Sequence, residues 1–344
     1  MPAVQAPAKV LVSGANGYIA AWVVRTLLER GYSVRGTVRS ESKTGYLKKL
    51  FKSEVDSGKF ELVVVPDITK AGAFDEAVKG VDAIEHTASP FHLKANDPNE
   101  VIEPAVKGTV GILESALKFG GKGLKRIVVT SSVASIVNPD SSGLVDESSW
   151  NESSVTLIKE KGSAAPGQEK YRASKTFAEK AAWEFVSKNA SSISWDLVTL
   201  CPPFVFGPNI NEIRSVADLG TSQAVFYDAL LSKTKTPEDL KGVAAAWVDV
   251  RDVALGHARA IEVPEAGGQR FILSSGMFIW QDWFDAANQL GISDIPKGTP
   301  GAGKNYPFVF RYDTTKAQNV LGIKFRDILT TTKDTVEDFK KRGW

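Results

Sequence analysis

Val10-Leu11-Val12-Ser13-Gly14-Ala15-Asn16-Gly17-Tyr18-Ile19-Ala20 runs from an apolar stretch through a glycine turn into a periodic segment. Val10 to Val12 fit a buried strand. Gly14 and Gly17 lack a Cβ, so the backbone there can turn tightly or approach a ligand. Ile19, Val23, Val24, Leu27 and Leu28 then follow a helical apolar period. A helix that starts directly after a strand presents free N–H groups and the positive end of its dipole, an arrangement suited to a pyrophosphate. The pattern is G-x-x-G-x-x-A, with Ala20 where many dinucleotide folds carry a third glycine. By itself it also fits a plain structural turn, so the reading depends on what surrounds it.

The first half of the chain alternates strand-like and helix-like segments. Strands are predicted at Ser33 to Val38, Phe60 to Val65, Asp82 to His86, Arg126 to Thr130 and Trp195 to Leu200. Helices are predicted at Lys43 to Val55, Ala73 to Val78, Pro98 to Phe119 and Gln168 to Asn189. Such alternation implies a parallel sheet covered on both faces. The run Leu62-Val63-Val64-Val65 fits a strand buried on both sides. Asn138 to Pro166 is rich in Ser, Asp, Glu, Gly and Pro and reads as a long irregular excursion. From Phe204 the alternation weakens into short helices and strand pieces. The expected fold is therefore α/β, a Rossmann-type doubly wound parallel sheet with a smaller mixed C-terminal substrate lobe. Residues 1–203 form the dinucleotide-binding domain, with 243–262 returning to it. Residues 204–242 and 263–344 form the smaller lobe.

Composition narrows the function classes. The 344 residues suggest about two domains. Forty-two Lys and Arg against 40 Asp and Glu leave a formal charge of +2, which supports neither a nucleic-acid surface nor a polybasic membrane anchor. One cysteine rules out an internal disulfide and a cysteine-rich metal site, and three histidines leave little material for a metal centre. Met1 to Ala8 shows no basic stretch followed by an apolar core, so no signal peptide is expected. The expectation is a cytoplasmic protein, monomer or homodimer, acting on a small molecule, with neither nucleic acid nor membrane as partner.

Two further groups of residues suggest chemistry. Thr37-Val38-Arg39-Ser40 ends the second predicted strand, where a dinucleotide fold faces the adenosine ribose. An acid there suits the 2′-hydroxyl of NAD, whereas an arginine accommodates the 2′-phosphate of NADP. Arg39 is followed one helical turn later by Lys43, and two cations suit a dianion. Thr130-Ser131-Ser132 follows the fifth predicted strand, and Tyr171 and Lys175 lie four residues apart on one helix face. Carbonyl reduction needs a proton donor beside the oxygen that gains negative charge. A tyrosine titrates near pH ~10, so a neighbouring cation must favour its phenolate. Lys175 supplies that field, and Ser132 can hydrogen-bond the carbonyl.

With these residues in view, the chain resembles an extended short-chain dehydrogenase/reductase. More narrowly, it resembles fungal NADPH-dependent methylglyoxal/3-methylbutanal (carbonyl) reductases, relatives of the dihydroflavonol reductases. The resemblance is carried by 12–17, Val65-Pro66-Asp67-Ile68, His86 to Phe91, Thr130-Ser131-Ser132, Asp146 to Asn151, Tyr171 to Lys175, Phe177 to Trp183, Phe206-Gly207-Pro208 and Asp249 to Ala254, in family order. It implies reduction of aldehydes and ketones with NADPH, with Ser132 as catalytic serine, Tyr171 as general acid, and Lys175 as its modulator and ribose ligand. Gly14, Asn16, Gly17, Tyr18 and Ile19 would line the pyrophosphate, and Arg39 and Lys43 the 2′-phosphate. Asp67 and Ile68 would flank the adenine. Thr87, Ala88 and Ser89 would run beside phosphate and ribose, and Pro202 and Val205 would border the nicotinamide. Phe91, Val133 and Phe204 would face the substrate. Cys201 stands where the fungal type has Asn and Phe204 where it has Tyr, so one substrate-facing hydroxyl is missing. The competing readings are an NAD-dependent nucleotide-sugar epimerase or dehydratase of the same fold, and a non-catalytic NADPH-sensing protein. Arg39 argues against the first, and the joint presence of Ser132, Tyr171 and Lys175 against the second.

Overall fold

The computed structural model describes residues 3–89, 96–232, 236, 239–242 and 245–344. In chain order the strands are β1 (Lys9–Ser13), β2 (Ser33–Val38), β3 (Phe60–Val64), β4 (Ala83–His86), β5 (Arg126–Thr130), β6 (Gly143–Val145), β7 (Asp196–Cys201), β8 (Phe204–Phe206), β9 (Ala245–Asp249), β10 (Arg270–Ile272), β11 (Gly276–Phe278) and β12 (Phe310–Tyr312). The α-helices are α1 (Tyr18–Glu29), α2 (Thr44–Leu50), α3 (Lys52–Asp56), α4 (Asn99–Phe119), α5 (Glu152–Lys161), α6 (Gly167–Lys188), α7 (Thr221–Leu230), α8 (Asp239–Gly242), α9 (Val250–Glu262), α10 (Trp280–Gln289), α11 (Thr315–Leu321) and α12 (Ile328–Lys341). No helix among the described residues is long and apolar enough to cross a membrane.

Seven strands form one sheet in the order β10-β7-β5-β4-β1-β2-β3, every neighbouring pair parallel. The chain winds outward from β1 in one direction and from β4 in the other. The crevice beyond the ends of β1 and β4 is therefore the topological switch point, where open α/β sheets take their ligands. One face of the sheet buries Val10, Val12, Val128 and Val198 against Val23, Val24 and Leu27 of α1 and Val253, Ala258 and Ile261 of α9. The other buries Leu11, Ile84, Ile127 and Leu197 against Ile112, Leu113 and Ala116 of α4 and Ala182 of α6. The side chains of β1 thus point alternately into the two cores, as its two-residue period requires.

The smaller lobe has an aromatic core of its own. Phe206, Phe226, Trp247, Phe278, Trp280, Trp283, Phe284 and Phe339 pack together, with the Trp247 and Trp283 rings 4.8 Å apart. Its sheet has the order β11-β9-β8. Charge pairs tie this lobe to α9. Asp249 accepts from Arg251 and from the Thr331 hydroxyl, Arg251 reaches Asp334, and Asp252 accepts from Arg326.

Four expectations change. Arg270–Ile272, placed above in the smaller lobe, is the outermost strand of the main sheet. Conversely, β9 pairs with β8 and β11 rather than returning to the main sheet; only the helix that follows it, α9, packs back there. Ala73 to Val78 forms successive turns rather than a helix. Burial of Phe74 and Val78 holds the segment without a helical ladder. Finally, 138–166 is not irregular: it contains β6 and α5. The Asn151 side chain caps α5, its Oδ1 accepting the Ser154 N–H, and β6 pairs with β12 far along the chain.

Candidate active site

The glycine turn lies at the switch point. Gly14 has φ +66°, a backbone conformation that a side chain makes costly, and a Cβ there would stand 3.1 Å from the Ala88 Cβ. The Gly14 N–H donates to Thr37 Oγ1 and the Ala15 N–H to the Thr37 carbonyl, which pins the turn to β2. α1 starts at Gly17 with no side-chain cap and no acid in its first turn. Its first N–H groups and dipole therefore face the crevice uncompensated.

From this turn a cleft of about 740 Å³ runs over the sheet edge. It is lined by Gly14, Asn16 and Gly17, by Arg39 and Lys43, by Asp67 and Ile68, and by Thr87, Ala88 and Ser89. Arg39 and Lys43 are exposed, and neither forms a salt bridge with another described residue. Asp67 accepts from the N–H and hydroxyl of Thr69, and these bonds hold its carboxyl below the usual range. Thr37, Val38, Ser40, Val65, Pro66, Thr69 and Pro104 line the cleft as well. They were not singled out from the sequence, although Thr37 and Ser40 flank Arg39 and Pro66 precedes Asp67.

Tyr18 and Ile19 do not line this cleft. The Tyr18 hydroxyl points away and donates to the Gly207 carbonyl at 2.8 Å, and Ile19 packs against the core. His86 is held behind the turn by Ser13. Ser13 Oγ accepts from the N–H groups of Thr87 and Ala88 and so donates its own proton to His86 Nδ1. Burial pushes this imidazole down to about 3, so it is neutral.

A second polar corner begins where the cleft stops. Lys175 Nζ donates to Ser89 Oγ at 3.2 Å and stands 5.9 Å from the centre of the Tyr171 ring. The Ser132 side chain faces the Tyr171 hydroxyl and favours its ionised form. Burial raises the Tyr171 hydroxyl above its usual value, against the opposing effect of Ser132, so tyrosine stays protonated at neutral pH. Burial lowers Lys175 to about 8, while the charge of Glu179 acts in the opposite sense. Ser132 leads a short turn, accepting the Ala134 N–H at 3.1 Å. The Pro202 carbonyl accepts from both Ser132 Oγ and the Val133 N–H. Val133 is half-buried beside Pro202, Val205 is buried, and Phe204 is 36% exposed and stacked on Phe206. Phe91 and His92 lie outside the described residues.

Sequence reasoning missed what lies behind this corner. Glu179, one helical turn beyond Lys175, is buried and accepts hydrogen bonds from Ser131, Ser135, Thr199 and Arg270. Arg270 stacks 3.6 Å from the centre of the Trp150 ring and donates to the carbonyls of Glu147 and Ser149. Asn151 Nδ2 donates to the Ala134 carbonyl. The stretch Asp146 to Asn151 is thus a brace for the Ser132 turn. The four-residue series Tyr171, Lys175, Glu179 was the available signal. Cys201 is buried against Glu179, and burial together with that carboxylate raises its thiol well above the ordinary value.

Comparison with known proteins identifies the family. Ketoreductase azaE of Aspergillus niger is 38% identical over 341 residues, covering 95% of this chain and 96% of that protein. The NADPH-dependent methylglyoxal reductase GRE2 of Saccharomyces cerevisiae is 36% identical and covers 96% of this chain and 98% of that protein. The solved structure of Gre2 from Candida albicans in complex with NADPH matches with a TM-score of 0.88 at 34% identity, over 98% of this chain and 100% of that one. A sequence profile of the NAD dependent epimerase/dehydratase family matches residues 10–274, and the chain belongs to that family, within the extended short-chain dehydrogenases/reductases its motifs resemble.

Proposed function

We propose that this protein is an NADPH-dependent carbonyl reductase that converts aldehydes and ketones to alcohols, with Ser132, Tyr171 and Lys175 as catalytic residues. The observation that carries the reading is the contact between Lys175 and Ser89, which joins the nucleotide cleft to the lysine that stands over the Tyr171 ring. The residues present fit the cofactor. The Gly14 cradle has no room for a side chain, the start of α1 carries no acid, and two exposed cations stand where a 2′-phosphate would lie. Gly14, Asn16, Gly17, Thr87, Ala88 and Ser89 would hold the phosphates and ribose. Arg39 and Lys43 would hold the 2′-phosphate, with Asp67 and Ile68 beside the adenine, and Pro202 and Val205 beside the nicotinamide. When bound, NADPH supplies the hydride.

The chain's own residues supply the rest. Ser132 orients the carbonyl by donating a hydrogen bond to its oxygen. Tyr171 gives its proton to that oxygen as negative charge develops. The Lys175 ammonium stabilises the phenolate left behind. The smaller lobe, with Phe204 and Val133 on its approach, shapes the substrate side as an apolar wall suited to an alkyl or aryl substituent. We place the protein in the cytoplasm, as a monomer or homodimer; cell fractionation checks the first and molar mass by light scattering the second.

The test is a panel of aldehydes, diketones, ketoesters and aryl ketones assayed with NADPH and NADH, with chiral analysis of the alcohols. Turnover with NADPH supports the reading. Purified protein that retains NAD and turns over no carbonyl overturns it.

A further inference from the structure

We propose that Glu179 is the positioning residue of this site: its carboxylate fixes the turn that carries Ser132 and supplies the negative charge that Lys175 needs behind it. The inference rests on the catalytic assignment above. Glu179 Oε2 lies 2.6 Å from both Ser131 Oγ and Ser135 Oγ, the residues on either side of the Ser132 turn. Ser135 Oγ is also 2.7 Å from the Ser132 carbonyl. Oε1 accepts from Thr199 Oγ1 and Arg270 Nε, each at 2.7 Å, and so ties the same point to β7 and β10. Six side chains from four parts of the chain, counting Trp183 at 3.4 Å and Cys201 at 3.8 Å, thus converge on one carboxylate that is 1% exposed.

A hydroxyl network could have been built around a neutral amide, so the charge needs its own reason. Burial penalises the Glu179 carboxylate, but the Arg270 guanidinium and the two serine hydroxyls more than compensate, and it stays ionised. Lys175 is one turn away on the same helix. The titratable groups facing it are Tyr171 and Glu179 on α6, Cys201 on β7 and His86 on β4, with the hydroxyls of Ser89 and of Thr109 on α4 lining the same pocket. Of these, only Glu179 is an anion at neutral pH. Arg270, behind it, is a second buried cation, so removing the carboxylate alone leaves two positive charges without a counter-ion. That outcome disfavours the protonated lysine.

Glu179→Gln is expected to lower kcat at least tenfold on any carbonyl the wild-type protein reduces, with NADPH affinity changed less than threefold. The alkaline limb of the kcat profile should move to lower pH. Glu179→Asp should recover part of the rate and of the profile. If Glu179→Gln fails to fold, the double variant Glu179→Gln/Arg270→Gln, which removes both buried charges, replaces it and should also show the reduced kcat. Wild-type kcat and an unmoved pH profile in either folded variant overturn the proposal, because the pair then only compensates itself. Tyr171→Phe is run beside them. An active Tyr171→Phe overturns the catalytic assignment, whereas an inactive one beside a normal Glu179→Gln overturns only the role of Glu179.

Discussion

The two ends of the nucleotide cleft are built on opposite principles. The adenosine end is open and made of backbone turns, one helix terminus and two exposed cations. The catalytic end is closed. Ser131, Ser132 and Glu179 are buried, and each polar group is held by others from distant segments. An open site in high dielectric binds by charge and shape, and each contact acts nearly alone. A closed site strengthens every electrostatic term and couples each group to its neighbours. Recognition of the cofactor should therefore be divisible into separate contributions, and the chemistry should not.

Single substitutions can break this comparison. Tyr171→Phe has the largest expected effect: kcat for carbonyl reduction should fall by at least ~100-fold, as loss of a positioned general acid does. NADPH binding, followed by cofactor fluorescence, should change little. Arg39→Ala should weaken NADPH by roughly 10- to 100-fold, the worth of one or two charge-assisted hydrogen bonds, and leave NADH affinity nearly unchanged. An equal loss for both nucleotides would show that the open end is coupled after all. Gly36→Ala probes the wall between the cleft and β1, since its Cβ would come 2.7 Å from that of Ala15. It should cost about 1–3 kcal/mol by overpacking, read as a lower thermal midpoint with kcat per folded molecule unchanged. The mildest test is pH. Lys175 is held at about 8 by burial, so its cation is present below that value and lost above it. The kcat/KM for NADPH, which reports the free enzyme, should bend downward near there.

The same contrast explains what the sequence disclosed. The adenosine end was legible because its parts are local. A glycine turn, an arginine at a strand end and a lysine one turn later can be read within a few residues of each other. The sheet was legible for a similar reason, since Arg126 to Thr130 carries its burial in its composition; Leu62 to Val65 reads the same way but was misjudged, because β3 is the edge strand and Val64 is 39% exposed. Tyr171, Lys175 and Ser132 were legible as types at a spacing. The brace behind them was not. Glu179 and Arg270 are 91 residues apart, and nothing local to either names the other. β6 and β12, three residues each, mean little without their partner. The resemblance implies that Tyr18 lines the pyrophosphate, but its hydroxyl satisfies the Gly207 carbonyl instead.

Cys201 gives the protein a built-in reporter. It is the sole thiol in the chain, fully buried, with its ionisation suppressed by burial and by Glu179. Alkylating reagents attack the thiolate, so in the closed state this sulfur is inert. Labelling can proceed only through molecules in which the floor of the catalytic corner has opened, and its rate counts them. A mass shift of one reagent per chain, followed over time with and without NADPH, would measure how firmly the cofactor latches the part of the molecule it does not touch.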